Sequence, residues 1–262
     1  FFPHMPKATL KNGLETWDVV GEDTIFVDTG TYLITTNNQV SWGAEDAGSS
    51  GKPVLMTGNT NAFVSIFDRA AVGAPITILA INGQYITLHN LAFVGGNVSA
   101  VGGNVILRDM LFTNSTVSLS GPSQLFEDVQ VFGGSVSAVG GSDSLLRRLL
   151  VGGGQLTLSG TNIVMEKSLV YGGSGPSVSM SGGEITLRNN TLAGGGTQFR
   201  QTGSGNAVLE NNIIVASGPN NFCIDKTSGT IESDYNNLVA RNGAWIGNVG
   251  IENWERLLYW QR

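Results

Sequence analysis

A repeat of about 19 residues constrains this chain more than any other feature of its sequence. The hexapeptide VSAVGG occurs at residues 98–103 and 136–141, and a looser copy, VSLSGP, begins halfway between them at Val117. Eight nine-residue segments follow the same period, with steps of 19, 19, 20, 19, 22, 22 and 24 residues. They begin at Ile86, Val105, Gln124, Ser144, Ile163, Ile185, Ala207 and Ile231. Repeats of this length predict a solenoid, in which each coil buries its apolar side by stacking on its neighbours.

The pattern within each repeat predicts three short strands per coil. The third and eighth positions of the segments are almost all apolar, and the alternation between them is interrupted at a polar fifth position. A glycine-rich stretch and a further alternating run, such as VSA or VSL, complete each repeat. Alternation of this kind is typical of strands, and the chain shows no helical period. The 37 glycines in 262 residues, roughly twice the usual share, favour an architecture with many tight corners.

Several motifs resemble those of a known superfamily. The turns LRNNTL at residues 187–192 and LENNIIV at residues 209–215, together with the opening GEDTIFVDTGTYLI at residues 21–34, resemble right-handed parallel β-helix proteins of the pectate-lyase-like superfamily. In that superfamily the second Asn of the turn points inward and stacks on the Asn of the next coil. The resemblance therefore implies an internal ladder formed by Asn190, Asn212 and Asn236.

The expected fold is an all-β, right-handed parallel β-helix with about 19–24 residues per coil and a short N-terminal capping helix at residues 9–19. We expect one domain over residues 1–262: a cap at 1–23, coils at 24–244 and a Trp-rich tail at 245–262. The stretch from residue 233 onward resembles the closing coils of β-helix regions in large secreted bacterial proteins. The resemblance implies a secreted or cell-surface location, with flanking domains or a second subunit as further partners.

Charge and composition narrow the classes of partner. A net charge of −6 and the lack of a Lys/Arg cluster argue against nucleic acid and anionic membrane surfaces. No apolar run is long enough for a transmembrane helix. The single Cys223 excludes an internal disulfide framework. These exclusions and the resemblance together favour a carbohydrate as the partner.

Charged residues occupy the fourth position of the segments with alternating sign. Because stacked coils lie about 4.8 Å apart, we expect a ladder of opposite charges that stabilises the register of the coils. The members of this ladder are Arg108, Glu127, Arg147, Glu166, Arg188 and Glu210.

Some of these residues allow a catalytic interpretation. Resemblance to β-helix lyases that act on uronates implies Lys167 as the base, with Arg188 or Arg148 neutralising the substrate carboxylate. Ca²⁺ would be the cofactor under that alternative, although the sequence contains no regular cluster of calcium ligands. Otherwise we expect no cofactor and no metal site.

Hydroxyl and amide side chains form two outward columns on the third strand of each coil. A flat array of this kind suits contact with sugar hydroxyls, and it also suits an ice-binding or surface-binding solenoid. Serine in place of threonine disfavours the ice-binding alternative, because the ordering methyl groups are missing. The glycan-contact candidates are Ser99, Ser118, Ser137, Thr157 and Ser179 in one column, and Thr116 and Gln155 in the other.

An outward apolar stripe is expected at the second position of the segments, formed by Ile106, Leu125, Leu145 and Val164. Such a stripe indicates an interface with another part of the chain, a neighbouring domain or a second copy. The favoured function is a non-catalytic module that contacts or scaffolds glycans, since 19-residue coils leave few residues for loops around a cleft. A polysaccharide lyase acting on a polymer such as alginate or pectate is the alternative.

Overall fold

The computed structural model describes residues 9–59, 63–69, 76–250 and 252–254, and in this part of the chain it is a parallel β-helix. Each coil contributes three strands, which stack on the corresponding strands of the next coil to form three faces. Every strand pairing among the described residues is parallel except one at the C-terminal end. The predicted fold class, an all-β β-helix with a short N-terminal helix, is confirmed.

Face 1 contains the first strand of each coil. Its strands are β1 (Thr24–Phe26), β4 (Val54–Thr57), β7 (Ile86–His89), β10 (Ile106–Arg108), β13 (Leu125–Glu127), β16 (Leu145–Arg147), the later parts of β18 (Gln155–Glu166) and β20 (Val178–Arg188), β23 (Gly205–Glu210) and β26 (Thr230–Asp234).

Face 2 contains the second strand of each coil and is a ten-stranded sheet within the described residues. Its strands are β2 (Gly30–Leu33), β5 (Ser65–Asp68), β8 (Ala92–Val94), β11 (Leu111–Thr113), β14 (Gln130–Phe132), β17 (Leu150–Gly152), β19 (Leu169–Tyr171), β21 (Thr191–Gly194), β24 (Ile213–Ser217) and β27 (Asn237–Arg241). Two coils therefore precede the eight segments that the repeat reveals.

Face 3 contains the third strand of each coil, and the long strands β18 and β20 bend from it into face 1. Its other strands are β3 (Val40–Trp42), β6 (Thr77–Ile81), β9 (Asn97–Ala100), β12 (Thr116–Leu119), β15 (Ser135–Ser142), β22 (Phe199–Gln201), β25 (Phe222–Lys226), β28 (Trp245–Val249) and, antiparallel to β28, β29 (Glu252–Trp254).

Left-handed backbone conformations make the corners of the coil. At the corner between faces 1 and 2, the polar fifth position of all eight segments has φ between 52° and 58°. Only a few L residues tolerate this conformation, and Asn and Asp do so most readily. The residues are Asn90, Asp109, Asp128, Arg148, Lys167, Asn189, Asn211 and Tyr235. The predicted bend lies at this position.

Paired glycines form the corner between faces 2 and 3 in several coils. The first glycine of a pair, such as Gly133 or Gly153, has a positive φ. The second has no room for a Cβ, because a Cβ on Gly134 would collide with the carbonyl oxygen of Ser115 in the preceding coil, and one on Gly154 with that of Gly134. The repeated Gly-Gly motif is therefore explained by the close approach of successive coils.

The interior contains the predicted apolar columns and an aromatic ladder. In seven of the eight segments the third and eighth positions are buried. The rings of Tyr32, Phe67, Phe93 and Phe112 stack in successive coils, with centroids 5.3, 5.2 and 5.5 Å apart. Each stacked pair contributes about 1 kcal/mol beyond its buried area.

An internal polar ladder occupies the later coils. The side-chain oxygen of Asn212 accepts hydrogen bonds from the backbone N–H of Asn190 and from its Nδ2, at 2.9 and 3.1 Å. Asn236 accepts from Asn212 in the same way. Ser168 extends the ladder by one coil, since its N–H donates to Asn190 and its hydroxyl accepts from the N–H of Leu149.

The two ends differ from the predicted boundaries. The N-terminal helix α1 covers Leu10–Leu14, with Thr9 as its N-cap, and is shorter than the predicted 9–19. At the C-terminal end, Trp245–Val249 pairs with β25 as the third strand of the last coil, so the coils extend beyond residue 244. The rest of the predicted tail, from residue 255 onward, lies outside the described residues.

The Asn ladder gives the first prediction. Asn212→Ala removes a buried acceptor and leaves two donors on Asn190 without a partner, so we expect the free energy of unfolding to fall by about 2–3 kcal/mol. The exposed Asn237, which follows the ladder residue Asn236 in the next coil, is the control, and Asn237→Ala should change stability by less than about 0.5 kcal/mol. Equal effects in denaturant unfolding would contradict the ladder's role.

Candidate functional site

Charged residues concentrate at the corner between faces 1 and 2, which we call the charged corner. Its centre is Glu127, whose side chain is only 4% exposed. Arg108 reaches Glu127 at 2.7 Å from the preceding coil, while Arg147 and Arg148 reach it from the following one. Arg148 also donates to Asp128 at 2.6 and 2.7 Å.

Three arginines around Glu127 determine its ionisation. Burial raises the pKa of Glu127, but hydrogen bonds from Arg148 and Arg108 outweigh burial, and the pKa lies below its ordinary value. The hydrogen bonds from Arg148 likewise lower the pKa of Asp128. Both carboxylates are therefore ionised and occupied by guanidinium groups at neutral pH.

The predicted charge ladder divides into separate groups. Arg188 pairs with Glu166 at 2.8 Å, but among the described residues no ion pair joins Glu166 to Arg147 or Glu210 to Arg188. Arg148 also pairs with Glu127, although it lies at the bend and not in the predicted column of fourth positions. The register of the strands nonetheless places the six ladder residues side by side in successive coils.

The three residues of the lyase alternative all lie at the charged corner. Arg148 and Arg188 are bound to carboxylates. Lys167 is exposed at the bend and has no ion pair among the described residues. His89 also lies on this side, with one ring nitrogen 3.1 Å from Asp109 and the other 3.3 Å from the hydroxyl of Thr57. Of these basic side chains, Lys167 is the one left to act on a ligand.

The opposite corner, between faces 2 and 3, contains a groove of about 340 Å³, which we call the glycine groove. Because the corner residues of these coils are mainly glycine, the surface is depressed there. Hydroxyl and amide side chains line its sides. The lining residues are Asn114, Ser115, Thr116, Gly133, Gly134, Ser135, Gly153, Gly154, Gln155, Gly173 and Ser174.

Two aromatic side chains border the glycine groove on face 2. Phe132 and Tyr171 end their strands two coils apart, with Gly152 between them in register. A Cβ on Gly152 would lie 2.8 Å from the Tyr171 hydroxyl oxygen and 3.0 Å from a ring carbon of Phe132, so both rings lean over this glycine. Tyr171 is 39% exposed. The sequence repeat gave no indication of this pair, because its two members lie in coils that are not adjacent.

The predicted hydroxyl columns lie beside the glycine groove. Thr116, Ser135 and Gln155 are in register in successive coils, and all three line the groove itself. The second column is half-buried on face 3 and also in register: Ser99, Ser118, Ser137, Thr157 and Ser179. Ser177, which lies opposite Gln155 in the next coil, is buried, and its hydroxyl donates to the side-chain oxygen of Gln198 at 2.7 Å.

The outward column of face 3 changes from hydroxyl to charged side chains after Ser179. The next residues in that column are Arg200 and Asp225, whose side chains pair at 2.7 Å. Asn248 in the last coil also donates to Asp225, at 2.8 Å. The repeat pattern does not indicate this pair, because the pair lies in the longer coils, where the repeats align less regularly.

The apolar stripe lies on face 1, away from the glycine groove. Ile106, Leu125, Leu145 and Val164 are in register in four successive coils and half-buried. These four side chains therefore point outward, as predicted. Contact with a flanking domain or a second copy through this stripe stays a prediction.

The described residues show neither a cluster suited to a metal ion nor a helix suited to a membrane. The described residues contain no group of three or more His, Cys, Asp or Glu side chains suited to a metal ion. Within the described ranges, no helix has the length and apolar character that crossing a membrane requires.

Several solved structures have a fold similar to that of this chain. A rhamnogalacturonan lyase matches with a TM-score of 0.66 and 14% identity, covering 95% of this chain and 83% of its own. An alginate lyase from Paenibacillus sp. str. FPU-7 matches with a TM-score of 0.56 and 10% identity, covering 90% and 95%. The pectate lyase Pel9A matches with a TM-score of 0.51 and 11% identity, covering 86% and 64%. No family model and no curated protein matches the sequence.

The similarity confirms the predicted resemblance at the level of fold. This chain has a parallel β-helix fold, as do the similar solved structures, which include polysaccharide lyases. At 10–14% identity the likeness does not extend to the residues of a site.

The charged corner gives a second prediction. Glu127→Ala leaves three arginines facing one another around a nearly buried position, so we expect a loss of about 2 kcal/mol in the free energy of unfolding. Glu210 occupies the same column and has no ion pair among the described residues, so Glu210→Ala should cost less than about 0.5 kcal/mol. Similar losses for the two variants in thermal unfolding would contradict the network.

The lowered pKa values of Glu127 and Asp128 give a third prediction. A carboxyl group whose pKa is lower in the folded state stabilises the fold above its unfolded pKa and loses that contribution as the pH falls through the folded pKa. Stability should therefore decrease as the pH is lowered below about 4. Glu127→Gln should show a smaller decrease over the same range. Parallel curves for parent and variant in denaturant titrations would exclude this linkage.

Proposed function

We propose that this protein binds an extended polysaccharide along the glycine groove. The groove itself is the observation that supports the proposal: it crosses several coils, presents hydroxyl and amide groups at register spacing and is bordered by two aromatic side chains. Sugar chains offer repeated hydroxyl groups and apolar ring faces, which such a surface complements. The longer loop of residues 172–176 contributes Gly173 and Ser174 to one end of the groove.

The polysaccharide lyase is the second candidate, and the structural comparisons favour it over a module that only scaffolds glycans. Lys167 is the base to test, because Arg148 and Arg188 are already bound to carboxylates. Lys167 lies at the bend two residues before β19, whereas Tyr171 ends that strand, so up to about 13 Å of chain separates them and we place a substrate of Lys167 outside the groove. Under this alternative Ca²⁺ would serve as cofactor, and removal of Ca²⁺ by a chelator should abolish activity.

A polysaccharide as partner supports a secreted or cell-surface location, because extended polysaccharides are mainly extracellular. We include this location in the proposal. The ice-binding alternative finds less support, since the column on face 3 is made of serine in four of its five members.

Binding and cleavage should be measured together on alginate, pectate, chondroitin sulfate and xylan. We expect the parent to bind at least one polymer, and Ser174→Trp to weaken that binding about tenfold or more by filling the groove. Ser50→Trp, at an exposed position outside the groove, should leave binding unchanged. Unchanged binding by Ser174→Trp would contradict the groove as the site.

The lyase alternative has its own measurement in the same experiment. Absorbance of an unsaturated product from the parent, lost in Lys167→Ala and kept in Ser174→Trp, would place catalysis at the charged corner and make the lyase the correct assignment. No product from any polymer, together with groove-dependent binding, would support a binding module.

A further inference from the structure

The part of the corner that contains the glycine groove has no charged residues in its connections. In seven successive coils, the residues that join face 2 to face 3 contain no Asp, Glu, Lys, Arg or His. These connections span residues 94–97, 113–116, 132–135, 152–155, 171–177, 193–198 and 215–222. Every lining residue of the groove is therefore uncharged at neutral pH.

Charges accumulate instead at the charged corner, across the width of face 2. The arginines there are bound to Glu127, Asp128 and Glu166. Lys167 at the bend is separated from Tyr171 by the length of β19, up to about 13 Å along the chain, and it is not a lining residue of the groove. An anionic polymer would find no cation among the lining residues of the groove, and the net charge of −6 would repel it.

We propose that the glycine groove selects an uncharged polysaccharide over a uronate or sulfated polymer, with a sugar ring packed against Tyr171 and Phe132. The inference rests on the proposed function and adds the chemical class of the ligand. Selectivity arises because a carboxylate or sulfate must give up its hydration on entering the groove and gains only neutral hydrogen-bond partners in return.

The aromatic pair supplies the apolar half of the site. Tyr171 remains 39% exposed although it leans over Gly152, so part of its ring is available to a ligand. A neutral sugar has an apolar ring face that can pack on such a surface, while its hydroxyl groups reach Gln155, Ser135 and Thr116 across the groove.

A matched pair of polymers tests the inference. Polygalacturonate and its carboxyl-reduced form share one backbone and differ in charge, as do alginate and its carboxyl-reduced form. We expect the reduced, uncharged polymer of at least one pair to bind about tenfold or more tightly than its acidic parent, with little dependence on salt. Tighter binding of both acidic forms would overturn the inference.

Two variants connect the preference to the groove. Tyr171→Ala should weaken binding of the neutral polymer about fivefold to tenfold, whereas Tyr235→Ala, at a tyrosine that is 80% exposed on the charged corner, should not. Gln155→Lys should increase binding of the acidic polymer about fivefold, because it adds the missing cation, and the increase should disappear at high salt.

The outcomes separate the two proposals. If Ser174→Trp abolishes binding but the acidic polymer is preferred, the groove is a glycan site and the inference about charge is wrong. If Ser174→Trp, Tyr171→Ala and Gln155→Lys all leave binding of every polymer unchanged, the groove is not the site and the proposed function fails. Retained thermal stability of the variants, measured alongside, ensures that a loss of binding reports on the groove.

Discussion

The bending of the backbone three times in each short coil is the constraint on which the structure depends. A coil of about 19 residues leaves one or two residues for each corner, so these residues adopt left-handed conformations or approach the next coil without a Cβ. Two solutions appear. One corner uses Asn, Asp, Arg and Lys at positive φ, and their side chains project outward. The other uses glycine pairs, and the absence of side chains there produces the groove.

The two corners therefore acquire different chemistry. At the charged corner, side chains of both signs meet in successive coils, and the buried Glu127 is held by three arginines. Because these charges pair with one another, their role is to stabilise the stacked coils. Lys167 is the basic side chain at this corner that has no ion pair among the described residues. At the glycine groove the neutral lining favours hydrogen bonding and ring packing. A ligand at one corner experiences an environment that the other does not provide.

Similarity to lyases and the chemistry of the groove describe two different properties of the molecule. The fold is shared with a rhamnogalacturonan lyase, an alginate lyase and a pectate lyase, and it explains how stacked coils present long, regular surfaces. Catalysis depends on particular side chains placed on that surface. β-Elimination needs a base and a partner for the substrate carboxylate, and neither lies in the groove. The structural comparisons thus favour a test for cleavage of these polymers, whereas the groove favours a test for binding.

The sequence by itself determined the coils, their three strands, the inward columns and the Asn ladder, because each depends on a short pattern that recurs at a fixed period. Only the tertiary structure decided which groups meet between coils. The pairing of Arg148 with Glu127, the extension of the ladder by Ser168 and the leaning of Phe132 and Tyr171 over Gly152 join residues about 20 positions apart. These contacts depend on how coils of unequal length stack and on the direction in which each corner projects its side chains, and neither is encoded in a local pattern.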